Sequence, residues 1–287
     1  MNKIKLHSVE ALASRLQRLQ RLLDLPACFD ADPRFGLYGF FCYELIHAKL
    51  GPDASLLGVF HLPERLREDG AAIDLLLDPA DAGGDFQLAG SSPAMFLRLR
   101  GERLSTSPIC GTVPRGRGEA EDQAQVEKLL ASDKDRFELE ECVKADILAK
   151  EASCEDIRVN VEPEVERFAN VFHTSASVSA RLKPGKTLAD AICDHLWPAT
   201  VVGTSVDAAA RLIAEHETRR WYAGAFGYVC ANEAELGTVI RAALLAGGVA
   251  TTRVGSTLSS HSSPQLERGE LEAKASLILG VLRAPSP

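Results

Sequence analysis

Basic residues are in short supply: 32 Lys and Arg face 40 Asp and Glu, so the 287-residue chain carries a formal charge of −8. A surface negative on average repels phosphate backbones and anionic lipid, which argues against nonspecific nucleic-acid or membrane-surface binding. A small-molecule ligand or a protein partner is expected instead. Long apolar runs are missing as well. No segment approaches the ~20 apolar residues of a membrane span, and MNKIKLHSVEALASRLQRLQRLL has no uninterrupted apolar core of signal-peptide length, so a cytoplasmic location is expected. The seven cysteines are scattered, odd in number and form no CxxC, which suggests neither a disulfide framework nor a zinc site. Phosphate-cradling loops are lacking too, since Gly83-Gly84 and Gly247-Gly248 sit in neither a GxGxxG nor a GxxxxGK[ST] frame.

The chain does have ordinary globular content, 46% hydrophobic and 25% charged, enough for one large domain or two intimate lobes. Leucines at helical spacing predict a helix over 8–24, and the aromatic run FGLYGFFCYEL (35–45) predicts a strand, with others at 56–61, 72–77 and 95–99. The glycine- and proline-punctuated stretch 111–122 reads as a loop leading into one long charged helix over 123–150. Strands follow near 157–161 and 169–182, helices near 187–195 and 206–217, strands at 222–230, 237–243 and 249–254, and a last helix over 264–282 that opens on Pro264, where a missing N–H costs nothing. The pattern is α+β with mixed or antiparallel sheets flanked by helices, without a regular βαβ repeat.

Two acidic pairs stand out on the predicted helices. Asp135 and Glu138 are three apart, as are Glu267 and Glu270, so each pair projects from one helix face. Four carboxylates from facing helices would make a hard oxygen site suited to Mg²⁺; the same spacing is also common on solvated faces. Lys274 lies four residues beyond Glu270, and Arg241 interrupts the apolar run VIRAAL. An arginine there is either an edge residue or, if buried, demands an anion. His173, in a predicted strand, is either a satisfied core histidine or a proton-transfer residue.

The order SPICGTVPRGR (107–117), KDRFE (134–138), VFHTSASVSARL (171–182), WPATVVGT (197–204), EHETRRWYAGAFGY (215–228), VIRAAL (239–244), VGST (254–257) and SPQLERGELEAK (263–274) resembles the catalytic half of the chorismate-utilising enzymes, a group that includes anthranilate synthases, isochorismate synthases and aminodeoxychorismate synthases. GLYGFFCYEL (36–45) and AGSSPAMFLR (89–98) resemble further landmarks of that family. The resemblance implies a single domain, with 1–90 a shortened N-terminal part and 91–287 the catalytic-like core. It implies Mg²⁺ held by Asp135, Glu138, Glu267 and Glu270. Thr112, Tyr222, Arg241, Gly255 and Lys274 would bind the substrate, and His173 and Thr200 would serve the chemistry. Thr200 leans toward ammonia-using members, WYAG (221–224) toward isochorismate synthases.

The departures from the family pattern are equally specific. Ala94 stands where the family usually carries the glutamate that protonates a departing C4 hydroxyl, and about a hundred residues are reduced to 46–90. Cys110 replaces a lysine or alanine; it is a nucleophile if nearby cations lower its pKa, or simply a small buried residue. A lyase or synthase acting on chorismate, isochorismate or aminodeoxyisochorismate with pyruvate elimination is therefore one expectation. A non-catalytic or partner-dependent subunit that binds a chorismate-like ligand is the other. A separate glutamine amidotransferase would be the implied ammonia source, and a homodimer would cover surface exposed by the shortened core.

Overall fold

The computed structural model describes residues 86–168, 170–229 and 233–283, together with four N-terminal strands, β1 (Lys3–Leu6), β2 (Leu37–Phe41), β3 (Gly58–His61) and β4 (Asp74–Leu77). The helix expected over 8–24 lies outside the described residues, as does most of the shortened stretch 46–90. β5 (Phe86–Ser91), β6 (Met95–Arg100), β7 (Arg103–Thr106), β8 (Ile109–Pro114), β9 (Cys154–Arg167) and β10 (Val171–Leu182) follow, then β11 (Ala225–Val229), β12 (Glu233–Thr238), β13 (Ala242–Ala246) and β14 (Val249–Thr252). The helices are α1 (Glu119–Leu130), α2 (Asp133–Ser153), α3 (Leu188–Asp194), α4 (Ala199–Val202), α5 (Val206–His216) and α6 (Pro264–Arg283). The α+β expectation holds. The described strands form two antiparallel sheets, a ten-stranded one in the order β1-β3-β2-β11-β12-β6-β7-β10-β8, with β9 also on β10, and a four-stranded one in the order β14-β13-β5-β4.

The chain passes between these sheets twice at one place. β5 belongs to the small sheet and β6 to the large one, joined through 92–94; β12 belongs to the large sheet and β13 to the small one, joined through 239–241. The two crossings touch: Ser91 N donates to Arg241 O at 3.3 Å, and Thr238 N donates to Ala94 O at 2.9 Å. Gly90 makes the approach possible, because a Cβ on it would lie 2.7 Å from Ala242 and from Arg241 O. Arg241 itself is not within a strand, contrary to the expected strand over 237–243. It sits in the link with φ of 52°, a left-handed conformation uncommon for a non-glycine residue. The run VIRAAL looks continuous in sequence because both strand ends it joins are buried.

The long helix expected over 123–150 is two helices. Ser132 adopts extended geometry and its side chain accepts from Asp135 N, capping α2 with acidic residues in the first turn, where the helix dipole favours them. The stretch expected as loop begins as strand β8, whose edge pairs with β10. β10 is buried along Val171–Ala176 on both faces. Phe172 joins Val113, Val126 and Leu129 beneath α1, so by strand alternation His173 points the other way.

The larger core sits between the sheets and α3 to α5 and includes Leu97, Trp197, Tyr222 and Leu236, with the Phe96 and Trp197 rings 5.2 Å apart. One charge is embedded at its margin. Lys150 is fully buried near the end of α2, paired with Asp146 at 2.8 Å, donating to Thr106 Oγ and lying 3.4 Å from His195 Nε2. Burial, then the Lys150 charge, pushes His195 down to about 4, so it is a neutral ring accepting from the lysine.

Candidate active site

The site is built where the sheet crossings meet the N-terminal end of α2 and the first three turns of α6. His173 Nδ1 lies 2.7 Å from Gly111 O, which commits that nitrogen as the N–H donor, with Thr112 Oγ a longer second contact at 3.2 Å. Nε2 is therefore the bare nitrogen, and Arg241 donates to it at 3.2 Å. Thr112 passes its own hydroxyl hydrogen to Glu270 at 3.4 Å. Glu270 pairs with Lys274 at 2.5 Å, and Lys274 also donates to Gly255 O at 3.1 Å. One continuous polar network thus runs from the sheet crossing to α6.

At the far end of this network the carboxylates converge. The Lys134 ammonium lies 3.4 Å from Glu138, 2.9 Å from Glu267 and 3.7 Å from Glu270. Ser256, in the VGST turn, donates a short hydrogen bond to Glu267. Burial alone would raise Glu267, but the hydrogen bonds from Ser256 and Lys134 outweigh it and hold this carboxyl below its ordinary value. Burial raises Glu138 despite Lys134. Asp135 stands beside Gly111, where a side chain on the glycine would meet its Cβ at 3.0 Å. Among the described residues it forms no ion pair.

The carboxylates gather around one ammonium, while the crossing holds a guanidinium. Arg241 is buried, and among the described residues no carboxylate lies within ion-pair distance of it. Desolvation lowers its pKa, opposed by Tyr222 and Glu270. Tyr222 is itself buried, and its hydroxyl closes on Gly255 so tightly that a Cβ there would sit 2.6 Å away. The turn after β14 therefore keeps its backbone open to the site because glycine occupies it.

Residues 80–280, some two thirds of the chain, match the sequence signature of the chorismate binding enzymes. The chain belongs to that family.

Two relatives illustrate what this member of the family is similar to. Anthranilate synthase from Azospirillum brasilense is 38% identical over 205 residues, covering 70% of this chain and 28% of that protein. A Mycobacterium tuberculosis protein named as the isochorismate synthase MenF is 31% identical over 282 residues, covering 94% of this chain and 73% of that protein. The chain spans less than half the length of the anthranilate synthases it matches, 28% of the Azospirillum protein and 41% of the Mycolicibacterium smegmatis one. The isochorismate synthase DhbC from Bacillus anthracis shares the fold at a TM-score of 0.78 and 19% identity, over 98% of this chain and 92% of that one. Anthranilate synthase component I from Streptococcus pneumoniae does so at 0.69 and 21% identity, over 91% and 85%.

Most of the residues singled out from sequence meet in this site: Thr112, His173, Tyr222, Arg241, Gly255 and Lys274 with Glu138, Glu267 and Glu270, while Asp135 stands beside Gly111. Thr200 does not join them. It lies on α4 and lines a cavity of about 630 Å³ that runs along the α2 face beyond Cys142, shared with Ala94, Phe96, Asp146 and His195. Lys274, expected to meet the ligand, is spent on Glu270 and the Gly255 carbonyl. Cys110 lies 3.5 Å from the Cys142 sulfur, and its thiol is pushed up by that contact and by burial, which disfavours a nucleophilic thiolate. Lys134 and Ser256 were missed. The signal for Lys134 was its position four residues before Glu138, on the same helix face.

His173 and His195 are both pushed down to about 4 from 6.5, each by burial first. The unfolded chain therefore takes up their protons at higher pH than the folded one. Stability is expected to be complete above pH 6.5, to decline as pH falls toward 4, and to lose nothing more from these groups below that. Each ring contributes on the order of 2 kcal/mol to the decline. Urea unfolding followed by circular dichroism at pH 7 and 4.5 measures it, and His195→Gln should flatten the slope; an equal slope in that variant would refute the assignment.

Proposed function

We propose that this protein is a Mg²⁺-dependent lyase or synthase acting on chorismate or a close derivative such as isochorismate or aminodeoxyisochorismate, with elimination of pyruvate. The observation that carries the reading is Arg241: a buried guanidinium without a carboxylate partner among the described residues, aimed from the sheet crossing at the bare nitrogen of His173. One carboxylate of a dianionic substrate would satisfy it bidentately. Glu138, Glu267 and Glu270 carry the kind of oxygen donors that a hard divalent cation takes; as they stand they surround the Lys134 ammonium, which is 2.9 Å from the buried Glu267 Oε1, and they would have to close in to hold a metal. When bound there, Mg²⁺ would hold a substrate carboxylate and offset the charge that develops on it.

The chain's own residues do the rest. Once a carboxylate engages Arg241, His173 Nε2 is released from its donor, and the Nδ1 contact to Gly111 O keeps the ring neutral and oriented to accept a proton. Thr112 ties that ring to the carboxylate end, so substrate and cation positions are set together. Ala94 offers no acid for a departing hydroxyl, which favours elimination over addition chemistry. It also supports a second reading, a ligand-binding subunit without turnover of its own. Relatives named component 1 point to a separate partner chain such as a glutamine amidotransferase, and a homodimer would cover sheet edges; gel filtration of the protein alone and with such a chain reads both.

Purified protein with chorismate or isochorismate, Mg²⁺, and with or without ammonium is the direct test. Pyruvate release with an aromatic product by mass spectrometry supports the proposal. Saturable binding without product selects the second reading, and absence of binding by every candidate refutes both.

A further inference from the structure

We infer that Lys134 is a built-in counter-ion of the carboxylate site, occupying the cation position in the unloaded protein and displaced into solvent when a divalent cation binds. The inference rests on the Mg²⁺ reading above and adds a step to it. Its ammonium is within 2.9 to 3.7 Å of Glu138, Glu267 and Glu270, one carboxylate from α2 and two from α6. Three carboxylates this close would repel one another across the two helices, and Lys134 is what joins them. Local structure gives it no other reason to be there. It lies in the first turn of α2, where the helix dipole favours anions and disfavours a cation, and its neighbours Asp133 and Asp135 obey that preference.

A lysine and a divalent cation cannot share this space. Mg²⁺ needs oxygens at roughly 2.0–2.1 Å in near-octahedral order. The carboxylates here are set at ammonium distances, and the buried Glu267 oxygen nearest the lysine has that ammonium 2.9 Å away as its partner, so it becomes available to a metal when the lysine leaves. Departure is sterically simple. The lysine side chain is 16% exposed at the helix start and flexible along four carbons, so a rotamer change carries the ammonium outward while the carboxylates close on the metal. Glu267 stays fixed meanwhile through Ser256. Metal binding is thereby coupled to the outward swing of one side chain, and apparent metal affinity is the intrinsic affinity multiplied by the fraction of time that the lysine is absent.

Two measurements test this. Isothermal titration of Mg²⁺ into wild type and Lys134→Met, with Lys134→Gln as the more polar variant, should show roughly 10–100-fold tighter binding in the variants. Acetic anhydride labelling of wild-type protein, read at Lys134 by peptide mass spectrometry, should rise several-fold at saturating Mg²⁺. Should both variants unfold, the labelling decides alone. Labelling that does not rise at saturating Mg²⁺, or folded variants that bind no tighter than wild type, overturns the inference and leaves the Mg²⁺ reading standing. Absence of Mg²⁺ binding by wild type and variants alike overturns that reading and the inference with it.

Discussion

Ala94→Glu should raise the rate of ring-product formation from chorismate by about 10²–10⁴-fold, the usual contribution of a positioned general acid. Position 94 lies on the large cavity and in the crossing between β5 and β6, and its carbonyl and amide are held by Thr238 N and Ser92 Oγ at 2.9 and 3.2 Å. Backbone geometry there does not depend on the alanine side chain, and the cavity has room for a carboxylate. Burial among Phe96 and Trp197 would raise the new carboxyl toward neutrality, which is the form that donates a proton. Ala94→Gln serves as the control, filling the same volume without a transferable proton. A gain with Glu and none with Gln identifies a missing acid. Equal rates in wild type and both variants would show that departure of the hydroxyl does not limit this protein.

Arg241→Ala should weaken binding of chorismate by about 10²–10⁴-fold, as two charge-assisted hydrogen bonds of about 1.5–3 kcal/mol each are lost. Arg241→Lys should recover only part, because a single ammonium cannot reproduce the planar fork. The same substitution should leave the melting temperature of the free protein unchanged or higher. Arg241 is a buried cation without a carboxylate partner among the described residues, in a left-handed conformation, so its removal relieves desolvation and orphans only the weak contact to His173 Nε2. A residue that served packing would behave in the opposite way. Titration by calorimetry and a thermal melt on each variant supply both readouts, and a lowered melting temperature with unaltered affinity would remove Arg241 from the ligand site.

The network also ties the carboxylate cluster to the Arg241 end of the site. Thr112 joins the His173 ring to Glu270, and Glu270 is shared between Lys134 and Lys274. Displacing Lys134 therefore changes the charge seen by Lys274, whose hold on the Gly255 carbonyl shapes the turn that carries Ser256.

The sequence by itself determined the helical spacing of Asp135 with Glu138 and of Glu267 with Glu270, the strand alternation that turns His173 away from Phe172, and the proline start of α6. These are local properties of periodic backbone, fixed by 3.6- and 2-residue repeats. The family signature was legible for the same reason, as an order of short blocks. Tertiary structure alone decided the rest. Arg241 reads as part of a strand, yet it turns in a link because two sheets must exchange strands at that point. The 123–150 segment is uniformly charged and helical in pattern, and only the Ser132 cap divides it. Thr200 is near the other motifs in the sequence order, but α4 carries it to the cavity beyond Cys142. Lys134 was an unremarked charge on a helix face until α6 brought Glu267 and Glu270 against it. Which charges face one another depends on how distant elements pack, and no local repeat encodes that.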